Sequence, residues 1–258
     1  MKIDLIVVKI GGNLIANDSN LKKFLKDYSK IKEKKILVHG GGSILSILAQ
    51  KQGVNSKVID GRRITDKNTL ELALMTYGGL LNKKIVSILQ KYDCNSLGLS
   101  GPDGNLILAE KRKKKGINYG FVGDIKKINT LFLDQLINLK ISPVICSLSH
   151  NKRGQILNTN ADTIASTISI KMSKKYNIKL LYCLDKPGLL MEDMNDKTVI
   201  TKLTGIQYQN LIKRKIIKKG MIPKIACCYK ALKGGVNEVY VGNRQILMDT
   251  TNCTKVIM

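Results

Sequence analysis

The chain has 258 residues, 43% of them hydrophobic, enough for one large α/β domain or two small ones and too apolar for global disorder. No apolar run approaches the ~20 residues of a membrane span, and Asp4 interrupts the N-terminal strand with no small-residue cleavage site after it, so a cytoplasmic protein without membrane contact is expected. The net charge of +25 raises nucleic acid as a partner, but the lysines spread along the whole chain and aromatic residues reach only 5%, so no specific nucleic-acid partner is expected.

A strand over 3–10 ends on Gly11-Gly12, with Lys9 two residues before the turn. After a helical pattern over 20–31, a second strand over 35–39 ends on His39-Gly40-Gly41-Gly42 and opens a helix over 43–52. Strands that end in glycines and feed helix N-termini are anion sites, because backbone N–H groups and the positive end of the helix dipole converge there. Residues 57–64 read as a hairpin around Asp60-Gly61 that carries Arg62 and Arg63. A guanidinium suits a bidentate grip on a carboxylate; one of this pair is expected to be an ordinary surface arginine. A helix over 66–91 and a strand over 96–100 come next, then a second hairpin around Asp103-Gly104 with a polar loop to 128. The basic runs Lys111–Lys115 and Lys213–Lys215 read as a solvated loop and a solvated helix face.

A helix over 130–139 and a strand over 142–147 lead to Asn158-Thr159-Asn160-Ala161-Asp162, which opens a helix over 160–173 with an Asn cap. A strand over 178–184 ends in the turn Leu184-Asp185-Lys186-Pro187-Gly188. After a helix over 204–214, Gly220-Met221-Ile222-Pro223-Lys224 opens the helix 222–233, and a strand over 237–242 completes the pattern. The alternation implies an α/β fold with an open, mainly parallel sheet covered on both faces, in two lobes without a linker or internal repeat. The six cysteines form no C-x-x-C pair and read as buried thiols.

Lys224 is out of place at a helix N-terminus, where the dipole repels a cation, unless an anion or a carboxylate such as Asp162 lies beside it. There is no GxxxxGK[ST], GxGxxG or G-x-S-x-G, and the only histidines are His39, read as a strand-end packing residue, and His150. No resident metal is expected. Two lysines, an arginine, an aspartate and glycine amides stabilise negative charge and transfer few protons. Phosphoryl transfer to a carboxylate fits, because a carboxylate is already ionised at neutral pH and needs no general base.

Five motifs, Lys9-x-Gly11-Gly12, His39-Gly40-Gly41-Gly42, Gly61-Arg62-Arg63-Ile64-Thr65, Asn158-x-Asn160-Ala161-Asp162 and Gly220-Met221-Ile222-Pro223-Lys224, occur in the order and spacing of the acetylglutamate kinases. The chain resembles these members of the amino acid kinase family over nearly its whole length. The resemblance implies a three-layer α/β/α sandwich, a homodimer, and ATP- and Mg2+-dependent phosphorylation of the γ-carboxylate of N-acetyl-L-glutamate, the second step of arginine biosynthesis. It implies an N-terminal lobe of about 1–175 for the acylated amino acid and dimerisation, and a C-terminal lobe of about 176–258 for the nucleotide. Lys9 and Lys224 would flank the transferring phosphoryl group, with Asp162 holding both. Gly11 and Gly12 would offer amides to phosphates, and Gly41 and Gly42 would face the reacting carboxylate. Arg63 would grip the α-carboxylate, Asn158 the α-carboxylate or N-acyl group, and Asp185 would lie on the nucleotide side. Mg2+ would ride mainly on the ATP phosphates. Lys219 stands where family members often carry Gly or Asp, and the start at the first strand suggests an arginine-insensitive dimer. N-succinylglutamate and carrier-linked amino acids stay open as acceptors, and a basic nucleic-acid-binding protein without kinase activity is the alternative of another class.

Overall fold

The computed structural model describes residues 2–54, 57–59, 61–192, 195–217 and 220–258; Asp60 of the expected first hairpin and Lys219 lie outside the described residues. The strands are β1 Ile3–Ile10, β2 Lys34–His39, β3 Val58–Ile59, β4 Arg62–Arg63, β5 Ser96–Leu99, β6 Ile107–Lys111, β7 Gly123–Ile128, β8 Ser142–Cys146, β9 Leu148–His150, β10 Ile156–Asn158, β11 Tyr176–Cys183, β12 Lys202–Leu203, β13 Glu238–Gly242 and β14 Thr254–Val256. The helices are α1 Gly12–Ala16, α2 Asp18–Ser29, α3 Gly42–Lys51, α4 Lys67–Ala73, α5 Asn82–Lys91, α6 Thr130–Asn138, α7 Ala161–Met172, α8 Gly205–Lys213 and α9 Ile222–Lys233.

The main sheet runs β12-β14-β13-β11-β1-β2-β8-β5. Every neighbouring pair is parallel except β13 with β14. Side chains alternate across the central strand β1, so Leu5 and Val7 enter one core while Ile6, Val8 and Ile10 enter the other. The first core is roofed by α6, α7, α8 and α9 through residues such as Leu133, Ile164, Tyr208 and Ile225; the second is closed by α1 to α5 through Leu14, Phe24, Leu45, Leu72 and Ile85. That is the three-layer sandwich. The alternation also places Lys9 on the face of Leu5 and Val7, under α7 and α9.

Local chemistry starts the helices. Asn17, Asp66, Asn129 and Asn160 each accept a backbone N–H of the first turn of α2, α4, α6 and α7, and Thr204 with Gln207 forms a capping box at α8. The helix expected over 66–91 holds, but between α4 and α5 residues Leu74–Leu81 widen into a π-helical stretch through Gly78-Gly79.

The expected hairpin around Asp103-Gly104 is not there. The Asp103 carboxylate accepts the Ser100 N–H and hydroxyl at 2.6 and 2.8 Å and closes a 3-10 turn. The preceding strand, β5, is committed to the parallel sheet beside β8 and cannot fold back to pair with β6. Instead β6 pairs antiparallel with β7, and these join β9 and β10 in a second, four-stranded sheet. Lys111 of the expected basic loop therefore belongs to β6.

Candidate active site

The parallel strands β1, β2 and β11 bring their C-terminal ends to one sheet edge, where open α/β folds hold ligands. There Asp162, in the first turn of α7, joins Lys9 of β1 to Lys224 of α9. Its carboxylate accepts Lys9 Nζ at 2.8 Å and Lys224 Nζ at 2.8 and 2.9 Å. Lys9 is 8% exposed and Lys224 7%. Burial alone would raise the Asp162 carboxyl, but the charges of Lys224 and Lys9 outweigh it and hold it below the usual carboxylate range. Burial pulls Lys9 below an ordinary lysine, and the neighbouring Lys224 adds to that against the pull of Asp162. On Lys224 burial acts the same way, but Asp162 prevails and raises it. Tyr182 of β11 steadies the group: its hydroxyl donates to the Asp162 carbonyl at 3.0 Å and its ring centroid lies 5.5 Å from Lys224 Nζ. Two ammonium groups and one carboxylate leave a buried net charge of about +1.

A cavity of about 350 Å³ opens beside this triad. Gly12, Gly41, Gly42, Arg63, Asn158 and Asp162 all line it. Gly41 has φ +155°, and a Cβ there would collide with Leu81 and sit 3.0 Å from the Tyr77 ring, so only glycine lets the chain enter α3 at this angle. Gly42 and Ser43, in the first turn of α3, line the cavity. Arg63 is pinned to that same turn: its Nη2 donates to the Gly42 carbonyl and the Ser46 hydroxyl, both at 2.8 Å. Asn158 donates to Thr65 Oγ1 at 3.1 Å, and Asn160, besides capping α7, donates to the Gly61 carbonyl at 3.3 Å. The hairpin of β3 and β4 is thereby tied to α3 on one side and α7 on the other.

Two expectations need correction, that for Gly11 and that for the arginine pair. The Gly11 amide donates to the Cys183 carbonyl at 2.8 Å and a Cβ there would lie 2.9 Å from that oxygen, so the amide expected to face phosphate is engaged between strands. Gly12 alone of that pair lines the cavity. Asp185, expected on the nucleotide side and not in this cavity, accepts Asn13 Nδ2 at 3.0 Å beside a separate space of about 230 Å³ lined by Asn20, Asn243 and Arg244. Neither Arg62 nor Arg63 is a plain surface arginine, since both line the cavity. Tyr77, which also lines it, escapes a reading of the sequence because nothing marks a π-helical turn in advance. His39 is fully buried behind the site. Its Nδ1 faces the Gly40 carbonyl at 2.9 Å, which can only accept, and its Nε2 faces the Asn82 amide at 3.1 Å. The neutral Nδ1–H tautomer satisfies both, and burial pushes the imidazole down to about 4. Among the described residues no group of three or more His, Cys, Asp or Glu could hold a metal ion.

The sequence profile of the amino acid kinase family matches residues 4–243. The chain belongs to the amino acid kinase family. It is 41% identical over 254 residues to an acetylglutamate kinase of Cytophaga hutchinsonii, covering 98% of this chain and 96% of that one. An acetylglutamate kinase of Parabacteroides distasonis is also 41% identical, over 92% of this chain and 93% of its own length. Among solved structures, smu.665 from Streptococcus mutans superposes with a TM-score of 0.79 at 28% identity, covering 93% of this chain and 94% of that one. Family membership makes the chain a phosphotransferase, in line with a site that gathers positive charge around one carboxylate.

Proposed function

We propose that this chain transfers the γ-phosphoryl group of ATP to the γ-carboxylate of N-acetyl-L-glutamate, giving N-acetyl-L-glutamyl 5-phosphate, a step of arginine biosynthesis. The observation that carries the mechanism is the Lys9–Asp162–Lys224 triad. The acceptor carboxylate attacks the γ-phosphorus, the bond to the bridging oxygen breaks, and ADP leaves with that electron pair. No proton moves, so the residues act by position and charge. Lys9 and Lys224 neutralise the oxygens of the transferring group, and Asp162 fixes both ammonium groups at a set spacing. The first turn of α3, with Gly41 and Gly42, faces the reacting carboxylate; Arg63 and Asn158 hold the α-carboxylate end. Gly12 faces the phosphates, and Asp185 bounds the nucleotide side.

Asp162, the one carboxylate among the described residues that line the cavity, is occupied by two lysines, so the residues present do not form a Mg2+ site; the ion would arrive bound to the nucleotide phosphates. A homodimer, a cytoplasmic location and a division into an acceptor lobe of about 1–175 and a nucleotide lobe of about 176–258 complete the proposal. In support, among the described residues no helix is long and apolar enough to cross a membrane.

Hydroxylamine trapping of the acyl phosphate tests it. With MgATP and N-acetylglutamate, the hydroxamate should form in step with ADP, and free glutamate should give none. Transfer to a nucleoside monophosphate in place of any N-acylglutamate would overturn the assignment.

A further inference from the structure

The triad treats its two lysines unequally. Asp162 holds Lys224 through both carboxylate oxygens, at 2.9 and 2.8 Å, and Lys9 through Oδ1, at 2.8 Å. One carboxylate balances one ammonium, so the less firmly held of the two is the easier to discharge. Burial and the charge of Lys224 pull Lys9 below an ordinary lysine, whereas on Lys224 the carboxylate outweighs burial. A desolvated lysine beside a second cation is the kind that acts as a nucleophile. Lys9 is also the one lysine among the described residues that line the cavity. Hydroxyls on the same wall compete poorly. Ser43 Oγ donates to the Gly12 carbonyl at 3.2 Å, and burial pushes the Tyr77 phenol up to about 12. The nearby bases are occupied: Asp162 is spent on the lysines, and His39 is turned towards Gly40 and Asn82.

The transfer assigned to this site makes an acyl phosphate, an electrophile, in the cavity that Lys9 lines. We propose that Lys9 is a self-acylation site: product that is not carried off passes its acyl group to Lys9 Nζ and shuts the enzyme down. The inference rests on the kinase reading and goes beyond it. Lys9 first gives one proton to water. Its lone pair then attacks the acyl carbon and a C–N bond forms. The bond from that carbon to the phosphate oxygen breaks, and phosphate leaves with the electron pair and a second proton from the nitrogen. The resulting amide removes one of the two ammonium charges and tethers an N-acetylglutamyl group in the cavity. Phosphoryl transfer uses the charged lysine; acylation diverts its minor amine form, and the positioning that serves the first reaction serves the second.

The test incubates the unmodified protein with MgATP and N-acetylglutamate until acyl phosphate accumulates, sampled as the hydroxamate. Intact mass, a peptide map and the remaining activity are then read. One N-acetylglutamyl group per chain should appear on Lys9, at least about tenfold above any other lysine, with activity lost in proportion. Hydroxylamine present throughout should intercept the product and protect Lys9. Added afterwards it should restore nothing, because an amide resists it. Lys9 left bare after product has accumulated, or acyl groups spread evenly over exposed lysines, overturns the proposal, while the hydroxamate keeps the kinase assignment. No hydroxamate from any N-acylglutamate removes both.

Discussion

Two lysines sit at opposite edges of the same sheet and are held in opposite ways. At the N-terminal edge, Lys35 Nζ donates to the carbonyls of Tyr28, Ser29 and Ile31 at 2.9, 2.9 and 2.7 Å, closing the C-terminal end of α2. At the other edge, Lys9 is more deeply buried and pairs with the Asp162 carboxylate, which it shares with Lys224. The first lysine commits its three donors to the backbone. The second is left with capacity directed into a cavity. The number of acceptors around a buried ammonium thus separates a lysine whose donors are all spent on the backbone from one that lines a cavity beside a shared carboxylate.

The largest way to break the contrast is Asp162→Ala. It strands two buried ammonium groups and should cost about 3–5 kcal/mol of stability together with nearly all turnover, measured by urea unfolding and hydroxamate formation. Lys9→Ala should leave the fold in place and lower kcat by ~10²–10³, the usual loss for one preorganised charge donor; near-normal kcat would dissolve the distinction between the two edges. His39 sharpens the comparison through pH. Unfolded, it takes up a proton near 6.5, whereas the native imidazole resists down to about 4. The unfolded state therefore binds more protons in that window, so stability falls as pH drops from 6.5 towards 4, by about 3 kcal/mol in full. Urea midpoints across that range should show the slope in the unmodified protein and a flatter one in His39→Gln. Arg63→Ala should raise KM for the acceptor by roughly 10–100-fold with kcat little changed, because its contact is the same before and during transfer. Smallest of all, Lys35→Ala should cost about 1–2 kcal/mol in stability with kcat within twofold.

Much of the site is legible in the sequence because its signals are local. The glycines after β1 and β2, the Asn160 cap and the misplaced cation Lys224 each come from strand-end or helix-end chemistry. The pairing of Lys224 with Asp162 can be anticipated because the dipole demands a counter-charge there. Residues 103–128 mislead because Asp103-Gly104 has the composition of a hairpin turn, while the strand before it is claimed by a distant partner, β8. Strands of three residues, such as β9 and β10, are too short to show alternation. The engaged Gly11 amide and the π-helical turn that brings Tyr77 to the cavity depend on tertiary contacts that no local pattern encodes.

The triad joins the first strand of the chain to a helix near its far end, through a helix in between. During synthesis, β1 emerges early, but its lysine gains the full triad only after α9 has left the ribosome. Any chain released before Lys224 lacks the second ammonium of the triad, so on the proposed mechanism its site is incomplete. On the proposed mechanism, a stalled-ribosome series of increasing length should gain activity only at lengths that let α9, and the strand β13 that shares its core, leave the exit tunnel.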